Sequence, residues 1–125
     1  MKTNPVGWFE IYVQDMGRAK KFYETVFATK LQQLGTPVPG VELCAFPMVQ
    51  DRYGAPGALV KMDGFDSNGN STIAYFSCDD CAVEEGRVVA AGGRIDKPKM
   101  AIGEYGFISL VIDTEGNMIG LHSMQ

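Results

Sequence analysis

Three cysteines and one histidine are all the thiol and imidazole in this chain, and no apolar stretch approaches the roughly 20 residues needed to cross a bilayer. Cys44, Cys78 and Cys81 are too few for a disulfide framework and leave one thiol over, which points to a reducing, cytoplasmic setting. The opening Met1-Lys2-Thr3-Asn4-Pro5 lacks the apolar core of a signal peptide. Basic runs are missing too: the longest is Lys20-Lys21, and a net charge of −4 leaves little to neutralise phosphates. Neither nucleic acid nor a membrane is an expected partner.

What is present is the composition of a globular protein. A chain of 125 residues with 46% hydrophobic and 21% charged residues fits a single domain, 1–125, able to bury a core without staples. Residues 7 to 13 alternate and are rich in aromatic and β-branched types, so they predict a strand. Asp15 follows as a helix N-cap, and Met16, Ala19, Tyr23, Val26 and Phe27 recur at helical spacing, predicting a helix to about Ala28 with one apolar face. Short apolar runs over 41–49 and 57–62 predict further strands, joined by a loop over 50–56. The polar, turn-rich stretch from Asp63 to Ser71 is the best internal boundary.

After it the first pattern restarts. Residues 72–78 read as a strand, Asp79-Asp80 as a cap, and Ala82, Gly86, Val89 and Ala90 as one helical face that ends at Gly92-Gly93. Asp15 and Asp80 lie 65 positions apart, and the strands before them superpose without a gap. Strands over 94–97, 106–112 and 117–122 complete the second copy, with Glu115-Gly116-Asn117 as the turn of a closing hairpin. The chain therefore reads as a tandem duplication, module one over about 5–63 and module two over about 71–125. The fold class is α+β: βαβββ modules forming a curved mixed sheet around a concave pocket, with helices on the outer face.

Strand parity then sorts the side chains. Phe9, Ile11 and Val13, Ala74, Phe76 and Cys78, and Ile108, Leu110 and Ile112 are uniformly apolar and are expected to face the helices. The opposite parity is mixed: Trp8, Glu10 and Tyr12; Ile73, Tyr75 and Ser77; Phe107, Ser109 and Val111; Met118, Gly120 and His122. Aromatic walls with a few polar groups suit a ligand pocket. The expected ligand-binding residues are Trp8, Tyr12, Tyr75, Ser77, Ser109 and Met118, and the candidate catalytic residues are Glu10 and His122.

The stretch from Val13 to Phe27, the strand and cap Phe76-Ser-Cys-Asp-Asp80, and Asp113-Thr-Glu-Gly-Asn-Met-Ile-Gly-Leu121 fall in order across the chain. In these pieces the sequence resembles the vicinal oxygen chelate superfamily, which includes glyoxalase I, bleomycin-resistance proteins and extradiol dioxygenases. The resemblance implies metal ligands at positions that here hold Trp8, Ile73 and Gly120, and within 58–62, none of which offers an imidazole, carboxylate or thiolate. No cofactor is expected at the usual place. Glu10 and His122 each stand two residues beyond a missing ligand and could form a displaced divalent-metal site or an acid/base pair; otherwise Glu10 simply hydrogen-bonds a neighbour and His122 is a neutral strand residue.

Two functions follow. One is a glyoxalase/bleomycin-resistance-like protein that binds a small aromatic or apolar molecule in its concave pocket; the alternative is a lyase or isomerase related to lactoylglutathione lyase, with Glu10 as base or with His122 as part of a displaced metal site. A homodimer, helped by first-strand aromatics, is implied by the resemblance. Cys78-Asp-Asp-Cys81 reads as one core cysteine and one first-turn helix cysteine, the second open to mild activation by the helix terminus. Residues 98–106, with Gly103 and Gly106, read as a long connection able to act as a flap.

Overall fold

A computed structural model describes residues 3–52, 54–67, 72–114 and 116–125. Met1, Lys2, Tyr53 of the expected loop, Asn68 to Ser71 of the expected boundary, and Glu115 of the closing turn lie outside the described residues. Two compact units emerge, one over Phe9–Thr72 and the other combining Met1–Trp8 with Ile73–Gln125.

The βαβββ order occurs twice. The first run is β1 (Val6–Tyr12), α1 (Met16–Val26), β2 (Gln32–Leu34), β3 (Val41–Ala45) and β4 (Gly57–Met62). The second is β5 (Thr72–Ser77), α2 (Cys81–Val88), β6 (Arg94–Ala101), a 3-10 turn at Gly103–Tyr105, β7 (Phe107–Ile112) and β8 (Met118–Ser123). Each run makes a mixed sheet. In the first, β4 pairs parallel with β1 and antiparallel with β3, which pairs with β2. In the second, β8 pairs parallel with β5 and antiparallel with β7, which pairs with β6. Among the described residues no helix is long and apolar enough to cross a membrane.

Both helices start where the aspartates predict. Asp15 accepts the Arg18 amide at 3.0 Å and Asp80 the Ala82 amide at 3.0 Å, each satisfying an otherwise orphaned donor of the first turn. They stop differently. Gly92 takes φ 100° after α2, while the chain leaves α1 through Ala28 at φ 50°, a conformation that costs a residue bearing Cβ.

In the first unit the core is hydrocarbon and aromatic. Val13, Leu31, Cys44 and Leu59 are buried beneath α1, with Ile11, Met16, Ala19, Tyr23 and Phe46 packed against them. The face expected for α1 is thus half right: Met16, Ala19 and Tyr23 turn inward, but Val26 and Phe27 are 56% and 63% exposed. Phe27 instead lies over the Tyr23 ring, stacked with centroids 6.2 Å apart.

In the second unit the face expected for α2 is corrected outright. Ala82, Gly86, Val89 and Ala90 are exposed, and Cys81 and Val88 meet Val111 and Leu121 instead. Glu85 also turns inward, where Oε1 accepts from the Lys99 amide and, at 2.8 Å, from the Ser109 hydroxyl. Small residues gave the outer face an apolar period, while a carboxylate with two donors is stable inside.

The 98–106 connection is likewise corrected. Residues 98 to 101 continue β6, whose register against β7 shifts between Ile95 and Lys97 and again between Lys97 and Met100. These irregularities accommodate Pro98, which has no amide to donate. Gly106 serves close approach rather than hinging, because an added Cβ would fall on the Ser123 carbonyl.

Candidate functional site

Glu10 and Tyr12, two residues apart on β1, share one face of the first unit's sheet while Ile11 and Val13 turn to the α1 side. Register sets Glu10 beside Ala58 and Tyr12 beside Val60, with Ala45 and Leu43 next in line on β3. Ala58, Val60 and Ala45 are buried, so the carboxylate stands on an apolar floor. There the Tyr12 hydroxyl donates to Glu10 Oε1 at 2.8 Å, a charge-assisted bond when the carboxylate is ionised.

The Tyr12 ring is held in turn. Phe65 stacks on it with centroids 5.2 Å apart, and the Ser67 hydroxyl donates to the Tyr12 carbonyl at 3.0 Å. Gln14 clamps the same segment, accepting the Ser67 amide at 2.8 Å through Oε1 and donating to the Phe65 carbonyl at 3.4 Å through Nε2. Sequence reasoning passed over Phe65 and Ser67, which sit in a turn-rich stretch with no period; the one available signal was an aromatic residue inside an otherwise polar boundary.

The other predicted residues belong to the second unit. On β5 and β8, Tyr75 lies opposite Gly120 and Ser77 opposite His122. An added Cβ at Gly120 would fall on the Tyr75 ring, and one at Gly7 on the Ser77 hydroxyl, so both glycines are sites of close approach. His122 Nε2 lies 2.6 Å from the Tyr105 carbonyl, which only accepts, placing the imidazole proton on Nε2. Met118 pairs with Ile112 across β8 and β7 and is half-buried, as is Trp8.

Ser109 is the clear misplacement. It lies with Val111 and Phe107 on the α2 side, fully buried, where its hydroxyl donates to Glu85. Ile108, Leu110 and Ile112 consequently occupy the opposite side, in register with His122, Gly120 and Met118. A serine among apolar neighbours suggested an open polar face, but a helix carboxylate satisfies it internally.

A divalent metal at the positions implied by the family resemblance does not fit these residues. Ile73 is fully buried and apolar, the space beside Gly120 is taken by the Tyr75 ring, and Ala58 to Val60 are buried hydrocarbon. Among the described residues no three of His, Cys, Asp and Glu are grouped to hold a metal ion. Glu10 and His122 fall in different units, each with a partner of its own, Tyr12 and Tyr105.

The cysteines are all free. Burial, then the neighbouring Glu84 carboxylate, pushes the Cys78 thiol up to about 11. Cys81 opens α2 as predicted but is fully buried, so access bars the reactivity its position suggested. Asp80 has its carboxyl held below the usual range, first by the 2.8 Å bond from Lys99 and then by the Ala82 amide. Two surface depressions, of about 660 Å³ along α1 and about 370 Å³ at the loop from Pro47 to Pro56, involve none of the predicted site residues.

No family model matches the chain. It is 29% identical over 116 residues to "Putative glyoxylase CFP32" of Mycobacterium bovis and, equally, of Mycobacterium tuberculosis. That match covers 91% of this chain but only 43% of the relatives, so the chain spans less than half of their length. Among solved structures, a variant methylmalonyl-CoA epimerase of Streptomyces coelicolor, in complex with 2-nitronate-propionyl-CoA, superposes with a TM-score of 0.67 at 14% identity, covering 96% of this chain and 94% of that one. A hypothetical protein from Bacillus halodurans superposes with a TM-score of 0.75 at 12% identity, covering 99% and 96%. In fold the chain is like these solved structures, and its sequence likeness is to the relatives described as putative glyoxylases.

Proposed function

We propose that this chain binds a small apolar or aromatic molecule on the sheet face that carries Glu10 and Tyr12, without a divalent metal. The observation that carries this reading is the 2.8 Å bond from the Tyr12 hydroxyl to Glu10 on an otherwise apolar floor. One carboxylate oriented by a phenol offers a directional acceptor for a ligand N–H or O–H, and Tyr12 with Phe65 offers ring surface. Three free thiols accord with a reducing, cytoplasmic setting for the encounter.

Ligand-observed NMR with a library of small aromatic compounds tests it. Hits should weaken at least about tenfold in Glu10→Gln, and less in Tyr12→Phe, which keeps the ring. Hits indifferent to both changes would remove the binding face from this part of β1.

A second reading is a lyase or isomerase related to lactoylglutathione lyase. It draws support from the fold likeness to methylmalonyl-CoA epimerases and from the presence of a carboxylate able to act as general base. In that reading Glu10 would take a proton from a carbon acid and Tyr12 would steady the carboxylate through its hydroxyl. The metal-dependent version falls if elemental mass spectrometry finds no nickel, zinc or iron retained after incubation, or finds metal that Glu10→Gln with His122→Gln does not release.

A further inference from the structure

Folding gathers along α1 a basic cleft that residue order does not display. Gly17, Lys20, Lys21, Glu24, Thr25 and Ala28 recur at helical spacings of three and four, so they share one side of the helix, and that side walls the depression of about 660 Å³. Thr29 and Lys30 also line it. They reach it because the chain turns back at Ala28, at φ 50°, and Glu24 fastens the turn twice. The Thr29 amide donates to the Glu24 carbonyl at 3.1 Å, and the Leu31 amide donates to Glu24 Oε2 at 2.8 Å.

Three ammonium groups and one carboxylate line this cleft, on a protein whose net charge is −4. Lys20, Lys21 and Lys30 form no ion pair among the described residues, where Lys99 and Asp80 do. Glu24 has one oxygen committed to the Leu31 amide and stands beyond ion-pair distance of all three. The negative end of the helix is masked at the same place, because the Tyr23 and Glu24 carbonyls accept from the Phe27 and Thr29 amides. A concave surface with an excess of one sign of charge concentrates ions of the other. Asp15 stands at the opposite, Gly17 end, so the excess lies toward Lys20, Lys21 and Lys30.

We propose that this cleft binds a small, non-aromatic polyanion that carries two or more phosphate groups and is free in solution. Lysine meets phosphate as a point charge on a flexible stem, and here the charges come from the helix and from the turn that follows it. The volume is that of a site for an organic molecule rather than for one phosphate. No aromatic ring lines it, so a nucleobase gains no stacking surface, whereas the Thr25 and Thr29 hydroxyls suit phosphate oxygens or a polyol. The cleft belongs to α1, on the other side of the first unit's sheet from Glu10 and Tyr12, and so stands apart from the ligand reading.

Isothermal titration calorimetry with inorganic tripolyphosphate at low ionic strength tests it. The cleft variant is Lys20→Ala with Lys30→Ala; the control, Arg18→Ala with Lys97→Ala, removes the same charge outside the cleft. The control should bind as the unaltered chain does, and the cleft variant at least about tenfold more weakly with its circular dichroism unchanged. Glu24→Gln, which keeps an acceptor for the Leu31 amide, should bind more tightly. On the unaltered chain, amide NMR shifts should centre on Lys20, Lys21, Thr29 and Lys30. No binding by the unaltered chain, equal losses in cleft variant and control, or shifts centred elsewhere each overturn the proposal. Binding seen only with vesicles of phosphatidylcholine and phosphatidic acid overturns it too, since the lysines would then serve a lipid surface.

Discussion

Beneath α1 the protein is packed with hydrocarbon and rings; beneath α2 the same βαβββ plan adds a buried Ser109 hydroxyl bonded to the Glu85 carboxylate beside its hydrocarbon. Cys44 in the first unit and Ser109, 65 positions later, occupy matching steps, yet one joins a buried cluster with Leu59 and Val13 while the other donates to Glu85. Ala19 and Lys20 likewise become Glu84 and Glu85. A duplicated fold tolerates such divergence because backbone pairing and capping are local, whereas the filling needs only volume and satisfied polar groups. Each solution has its own weak point.

Four perturbations would sharpen or break this contrast. Leu59→Ala should act most strongly, costing about 2–5 kcal/mol in chemical denaturation because the rigid apolar core cannot close around the lost volume. Gly120→Val should cost about 1–3 kcal/mol by forcing the Tyr75 ring aside, and adding Tyr75→Ala should recover much of it; additive losses would mean that the two do not touch. Ser109→Ala should cost about 1–2 kcal/mol by leaving Glu85 a donor short, and a neutral result would show that water replaces the hydroxyl. Ala28→Gly should gain about 1 kcal/mol, since glycine adopts the left-handed exit from α1 that α2 already makes through glycine.

The smallest effects depend on pH, and they belong to the second unit. The carboxyl of Asp80 is held down by Lys99, so its contribution is present above the ordinary carboxylate range and disappears as pH falls through the lowered value. Cys78 works in the other direction: its thiol is pushed up from 9.0 to about 11, so that contribution is complete below 9.0 and is lost as pH rises toward 11. Melting curves of Cys78→Ala should lose this alkaline slope while keeping the acid one. Cys78 should also alkylate slowly at neutral pH, because little thiolate forms.

The duplication, both helix starts, and the turn chemistry at Gly116-Asn117 were legible in the residues. In the structure Asp113 closes that turn, accepting the Asn117 amide at 2.9 Å through Oδ1. Short β2 was not legible, because three residues over Gln32–Leu34 carry no usable period. Nor was the orientation of α2. Ala82, Gly86, Val89 and Ala90 form a period as regular as any buried face, and only the neighbouring Ser109 and Lys99 amide make it better to turn Glu85 inward.

The candidate site divides in the same way. Parity alone put Glu10 and Tyr12 on one face, since two residues along a strand always return to the same side. The Phe65 to Ser67 segment that clamps Tyr12 comes from more than fifty residues away and follows no pattern along the chain. What residue order settles for this protein is whatever depends on neighbours within a turn or a strand: caps, periods and the repeated module. Folding settles which period is buried, where a serine finds its acceptor, and that Tyr75 fills the space beside Gly120, because each depends on a side chain brought in from another strand or helix.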